Sequence, residues 1–243
     1  FRADWQRGGA ATGEAPFRTD SGEPVTVVLK IPVPRRELLW MRRLQESVEG
    51  DPVVPRLFAS GERVGDYDFR WVVMERFPYG PLGMHWQDDH VPRLAHALAR
   101  FQQDAGRYPV DAAPRVEEWD ELVKTAVESV RLNDVPEPKR WLAALKRLRK
   151  SLDAIVTEWR ARDVGHWLHG DAHFANAMCR ETTDTGDVTM IDLAEVHAGH
   201  WIEDAIFLER QLWSRPERLA PHRPVKALAD ARRALGLEVG DDY

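Results

Sequence analysis

The stretch 168-LHGDAHFANAM-178 places His169, Asp171, His173 and Asn176 within eight residues, with small or apolar residues between them. Three arrangements use such a cluster: a metal site, a buried turn whose polar groups bond to backbone, and a catalytic loop. The zinc arrangement is poorly served, because neither H-E-x-x-H nor paired cysteines occur and His166, His169 and His173 have no zinc spacing. A turn of satisfied polar groups accounts for the histidines and the asparagine. It does not account for Asp192, which ends the apolar run 188-VTMID-192, where a carboxylate is costly unless it is paired or ligating. Two aspartates and an asparagine on two neighbouring loop-and-strand units are an oxygen-ligand set, which suits magnesium rather than zinc.

The bulk numbers narrow the setting. The chain has 243 residues, 43% hydrophobic and 30% charged, with net charge −6 and pI about 5.9. That length makes one large domain or two small lobes and needs no disulfide to bury a core. The acidic balance speaks against a general nucleic-acid binder. The densest basic patch, 146-KRLRK-150, lies in an apolar-periodic stretch and reads as a solvated helix face. No apolar run reaches the roughly 18–20 residues of a membrane span, and no leader pattern is visible, so no membrane partner is expected. The single cysteine, Cys179, can form no internal disulfide, and a reducing, cytoplasmic home is expected.

Along the chain, glycine-rich residues 1–23 read as loops flanking short strands. The run 25-VTVVLKIP-32 reads as a strand with Lys30 near its end, and 35-RRELLWMRRLQES-47 as a helix. A turn and short strand follow in 50–62, a clear strand in 69-FRWVVMERF-77, and a break in 78-PYGPLG-83. Residues 90–106, 117–133 and 137–161 repeat apolar residues at helical spacing. An extended piece and loop occupy 164–180, a turn 184–187, a strand 188–193, and the tail from about 201 reads as helical.

Lys30 alone would be a strand end meeting solvent. Glu37, near the start of the next helix, could hold it by an ion pair that aims the ammonium at phosphates; the bland alternative is a surface pair worth about 0–1 kcal/mol. The order is strand lysine, helix glutamate, second strand, Pro/Gly break, helices, H-G-D-x-x-x-x-N, then I-D. It resembles the protein-kinase-like fold, and within it the aminoglycoside phosphotransferase and small-molecule kinase family. The resemblance runs from about Lys30 to Asp204. It is strongest in 169-HGDAHFAN-176 and 191-ID-192, with 199-GHWIEDA-205 in support.

The resemblance implies an α+β, two-lobed architecture: a small β-rich nucleotide lobe over 1–77 and a larger helical lobe over 78–243. It implies Asp171 as catalytic base and Asn176 and Asp192 as magnesium ligands. Lys30 would sit on the α- and β-phosphates with Glu37 as its partner. In 74-MERF-77, Met74, Glu75 and Phe77 would form the hinge that meets adenine through backbone groups. His169 would brace the loop and Asp204 would be structural. ATP is the implied nucleotide, with GTP as the alternative, and a small hydroxylated molecule the implied acceptor for a monomer or homodimer.

Departures are visible. No G-x-G-x-x-G precedes Lys30, and 7-RGGAATG-13 is the glycine-rich candidate for the phosphate loop. The lysine-to-glutamate gap of seven is short, and Leu193-Ala194 follows Asp192 in place of Phe-Gly. The absence of an A-P-E segment argues against a protein substrate. Acceptor contacts are expected from Glu195, His200, Trp201 and Glu203, with His197, Glu209 and acidic residues of 117–121 as further candidates. An antibiotic or related natural product is the leading acceptor. The alternatives are a metabolic amino-alcohol or sugar kinase, a nucleotide-binding pseudokinase, and a metal-dependent hydrolase.

Overall fold

A computed structural model describes residues 10–48, 50–184 and 186–240. Four antiparallel strands open the chain: β1 (Ala11–Arg18), β2 (Pro24–Ile31), β3 (Leu57–Gly61) and β4 (Trp71–Glu75), in the order β1-β2-β4-β3. The sheet places Lys30 between Thr12 of β1 and Val72 of β4. β1 is one of the short strands expected within 1–23; Ala11–Gly13, three of the seven residues of the glycine-rich candidate 7–13, are strand residues, while 7–9 lie outside the described residues. Its composition, ATGEAPFR, has low strand propensity. The strand lies at the sheet edge, where proline is tolerated, and Phe17 packs on Phe58 with ring centroids 5.6 Å apart.

Helix α1 (Arg35–Arg43) follows β2 after three residues, which is why the lysine–glutamate gap is short. Glu37 falls in its first turn, where a carboxylate complements the helix dipole. The buried face of α1 carries Trp40 and Met41 into one core cluster with Leu44, Val53, Val54, Phe101, Ala105, Trp167, Leu193, Val196 and Ala198. Trp40 and Trp167 meet edge to face at 4.9 Å. This cluster fixes the helix that carries Glu37 against the segment that follows Asp192.

Helix α2 (His90–Ala105) is buried along most of its length. The chain then enters a separate compact unit over 113–164, made of α3 (Trp119–Leu132) and α4 (Pro138–Arg160), which pack on each other and bury Val123 and Leu152. On re-entry, β5 (His166–Leu168) pairs with β8 (His197–Gly199), and β6 (Ala177–Cys179) with β7 (Val188–Met190). Helices α5 (Ile202–Leu212), α6 (Pro216–Leu219) and α7 (Pro224–Ala234) close the first unit. The strand expected over 188–193 is shorter than its apolar run, ending at Met190, and Asp192 adopts a left-handed conformation with φ 64°. Aspartate tolerates that region better than most residues, and the turn swings its carboxylate out of the strand line. No helix among the described residues is long and apolar enough to cross a membrane.

Candidate active site

The loop between β5 and β6 is built from the inside out. Asp204, on the first turn of α5 and 1% exposed, accepts hydrogen bonds from two successive backbone N–H groups, His169 at 3.0 Å and Gly170 at 2.9 Å. Gln102 of α2 donates to the same carboxylate at 3.3 Å. Gly170 sits at φ 80°, and a Cβ there would run into the Glu195 carbonyl and come within 2.7 Å of His197 Nδ1. Only glycine lets the chain turn here.

His169 is fully buried. Its Nε2 lies 3.0 Å from the Ile191 carbonyl and its Nδ1 accepts the Asp171 N–H at 3.3 Å. These partners require a neutral ring protonated on Nε2, and burial holds the imidazole below its ordinary range, in agreement. The histidine thus ties the Asp171 backbone to the residue before Asp192. Ile191 N–H in turn donates to the Asn176 carbonyl at 2.9 Å.

Asp171 is half-buried. His173 Nε2 lies 3.3 Å from its Oδ2, and Asn176 Nδ2 donates to that oxygen at 3.0 Å. The His173 hydrogen bond, opposed by burial and aided by Asn176, holds the carboxyl below its ordinary range, so it is ionised at neutral pH. Oδ1 has no hydrogen-bond partner among the described residues. Because Asn176 uses its Nδ2 as a donor, its amide oxygen remains an acceptor.

Across the site, Lys30 Nζ meets both Glu37 carboxylate oxygens, at 2.7 and 3.0 Å, and Asp192 Oδ1 at 3.3 Å. Burial opposes the charge on Lys30, but the Glu37 and Asp192 carboxylates outweigh it and hold the ammonium above its ordinary range. Burial pushes the Glu37 carboxyl up while Lys30 pulls it down. The two short contacts to one ammonium mark Glu37 as the ionised partner.

Lys30, Glu37, Met74, Glu75, Phe77, Asp171, Asn176, Asp192 and Glu195 line one cavity of about 880 Å³, together with Thr12 and Glu14 of β1. His169 and Asp204 lie in the buried layer that supports it. Three of the expected acceptor contacts lie elsewhere. Trp201 is 2% exposed and packs beneath the Arg232 guanidinium, 5.2 Å from its ring centre, so it is a core residue and not a stacking platform. Glu203 accepts the His200 N–H at 2.7 Å, capping the turn before α5, and His200 Nδ1 accepts the Ile202 N–H at 3.3 Å. Neither residue lines the cavity. Residues 117–121 belong to the separate helical unit. Among the described residues, no three His, Cys, Asp or Glu side chains converge as a metal cage.

Sequence reading missed Gln102, Arg232 and Arg180. Arg232 of α7 donates to Gln102 Oε1 at 2.6 Å, which leaves Gln102 Nε2 to face Asp204. Residues on three separate helices meet there, and no local pattern announces it. Glu75, expected at the hinge, turns its side chain into an ion pair with Arg180.

The same fold recurs in solved structures. An aminopropanol kinase associated with a microcompartment aligns at TM-score 0.58 and 14% identity, over 93% of this chain and 77% of that one. An aminoglycoside phosphotransferase from Alicyclobacillus acidocaldarius aligns at 0.53 and 17%, over 91% and 77%. A choline/ethanolamine kinase family protein from Mesorhizobium loti aligns at 0.52 and 14%, over 93% and 70%. No curated protein matches the sequence. The fold is thus that of the small kinase-like phosphotransferases. Residues 9–237 match the model of the phosphotransferase enzyme family, and the chain belongs to that family.

Proposed function

We propose that this protein is an ATP- and magnesium-dependent O-phosphotransferase that moves the γ-phosphate to a hydroxyl of a small molecule, with an antibiotic or related natural product as the leading acceptor. The observation that carries the reading is the single cavity lined by the Lys30–Glu37 pair, the Asp171–Asn176 loop and Asp192. Phosphoryl transfer needs positioned charge more than covalent chemistry, and these groups supply it.

The residues fit a hard cation. Asp192 keeps a carboxylate 41% exposed, and the Asn176 amide oxygen is an acceptor lining the same cavity. One or two protein oxygens completed by phosphates and water suit magnesium. When bound, the ion would neutralise charge on the phosphates. Lys30, held by Glu37, contributes a second positive charge to the phosphate end. Asp171 uses Oδ2 for His173 and Asn176, which leaves Oδ1 to take a hydroxyl proton. The acceptor oxygen then bonds to the γ-phosphorus as the bond to the bridging oxygen breaks, giving a phosphate ester and ADP. Met74 to Phe77 line the nucleotide end, with adenine against the segment that leaves β4.

The test is a mass-spectrometric screen of the purified protein with MgATP and a panel of aminoglycosides, macrolides, nucleoside antibiotics, sugars and amino alcohols. A singly phosphorylated product that requires magnesium supports the reading and names the acceptor class. Failure to bind MgATP at all would overturn it.

A further inference from the structure

Arg180 follows β6 immediately, on the hairpin whose two ends lead to Asn176 and Asp192. Its side chain reaches Glu75, at the other wall of the cavity. Nε and Nη2 donate to the two oxygens of Glu75, each at 2.9 Å. Nη1 donates to Thr189 Oγ1 at 3.0 Å and to the Pro52 carbonyl at 3.1 Å, and Nη2 to the Val54 carbonyl at 3.2 Å. All five guanidinium N–H donors therefore have acceptors. Its Cζ also lies 5.4 Å from the centre of the Phe77 ring. Glu75 is equally engaged, since Oε2 also accepts the Arg56 N–H at 3.1 Å.

This is not an exposed ion pair of negligible worth. The two side chains are only 17% and 14% exposed, and the fork-to-fork geometry fixes both distance and angle. Lysine could not replace it, having three donors on a flexible stem. What the pair joins matters most. Glu75 ends β4 and opens the 75–77 segment on one side of the cavity. The β6–β7 hairpin carries Asn176 and Asp192 on the other side. The span between these walls is the span that a nucleotide must bridge from base to phosphates.

We propose that Arg180 is a positioning residue for the nucleotide: by clasping Glu75 it sets the distance between the base-binding segment and the metal-binding hairpin. The proposal rests on the nucleotide reading above. Arg180 touches neither nucleotide nor acceptor, so its loss weakens binding of a ligand that must engage both walls. It leaves the Asp171 loop, which Asp204 and His169 hold, unchanged.

The experiment compares wild type, Arg180→Lys, Arg180→Met and Glu75→Gln by calorimetric titration with MgATP. It then follows steady-state transfer to whichever acceptor the screen yields, with far-UV circular dichroism as the folding control. Both Arg180 variants are expected to bind MgATP about tenfold more weakly, with KM for ATP raised to match and kcat within about twofold of wild type. Adding Glu75→Gln to Arg180→Met should cost little more than either change alone, because both break one interaction. Wild-type affinity in a folded Arg180→Lys or Arg180→Met protein would overturn the proposal and leave the functional reading standing. So would a fall in activity that only tracks the folded fraction. No MgATP binding by wild type would overturn the functional reading, and this proposal with it.

Discussion

Replacing Asp204 by asparagine exchanges one carboxylate oxygen for an NH2 group at the most heavily used acceptor beneath the 168–176 loop. The carboxylate takes hydrogen bonds from His169 N, Gly170 N and Gln102 Nε2, at 3.0, 2.9 and 3.3 Å, with only 1% of the residue exposed. If the remaining oxygen serves His169 and Gln102, the new NH2 faces the Gly170 N–H, donor against donor. A hydrogen bond to a charged group is worth about 1.5–3 kcal/mol and a stranded buried donor costs about 1–3 kcal/mol, so the variant should lose about 3 kcal/mol or more. With a urea slope of about 3 kcal/mol per molar, the unfolding midpoint falls by about 1 M. Urea unfolding followed by tryptophan fluorescence measures this. Hydrogen exchange across 168–176 should rise in the same variant. A midpoint and loop exchange equal to wild type would refute the claim that Asp204 holds the loop by these bonds.

Two further outcomes follow from the same layer. Gly170→Ala meets both the positive φ and the Glu195 carbonyl, so it should destabilise by about 3 kcal/mol, combining backbone strain and overpacking, and abolish most transfer; calorimetry and the transfer assay check it. Acid should destabilise the protein from near neutral pH downward. Burial lowers the folded-state pKa of His169 and of His90, so below the unfolded value of about 6.5 the unfolded chain binds more protons, and stability present above that pH is lost as pH falls toward the folded values. Urea midpoints should therefore drop between pH 7.5 and 5.5, and a flat profile would contradict the neutral assignment of these rings.

Much of the site was legible because its chemistry is local in sequence. The spacing from Asp171 to Asn176 is set by one loop, and the run ending in Asp192 by the next hairpin. Lys30 and Glu37 were readable as partners because β2 ends and α1 begins within a few residues of each other. The misreadings have physical causes. The bounds of β1 were not legible within 1–23, because this edge strand has a weak strand composition. The Asp192 turn hides inside an apolar run that looks like continuous strand. Trp201 shares a segment with the polar residues His200, Glu203 and Asp204, yet Arg232 from α7 covers its ring, and burial supplied from so distant an element leaves no local pattern. Arg180 and Glu75 are 105 positions apart, and neither neighbourhood hints at the other.

The most direct test of the central claim is kcat for Asp171→Asn on the acceptor that the screen identifies, with MgATP affinity measured alongside. The account predicts a loss of about 10²–10⁴-fold in kcat with nucleotide binding retained, since the substitution removes the proton acceptor while Lys30, Asn176 and Asp192 remain in place. A variant that transfers phosphate at nearly the wild-type rate would contradict it.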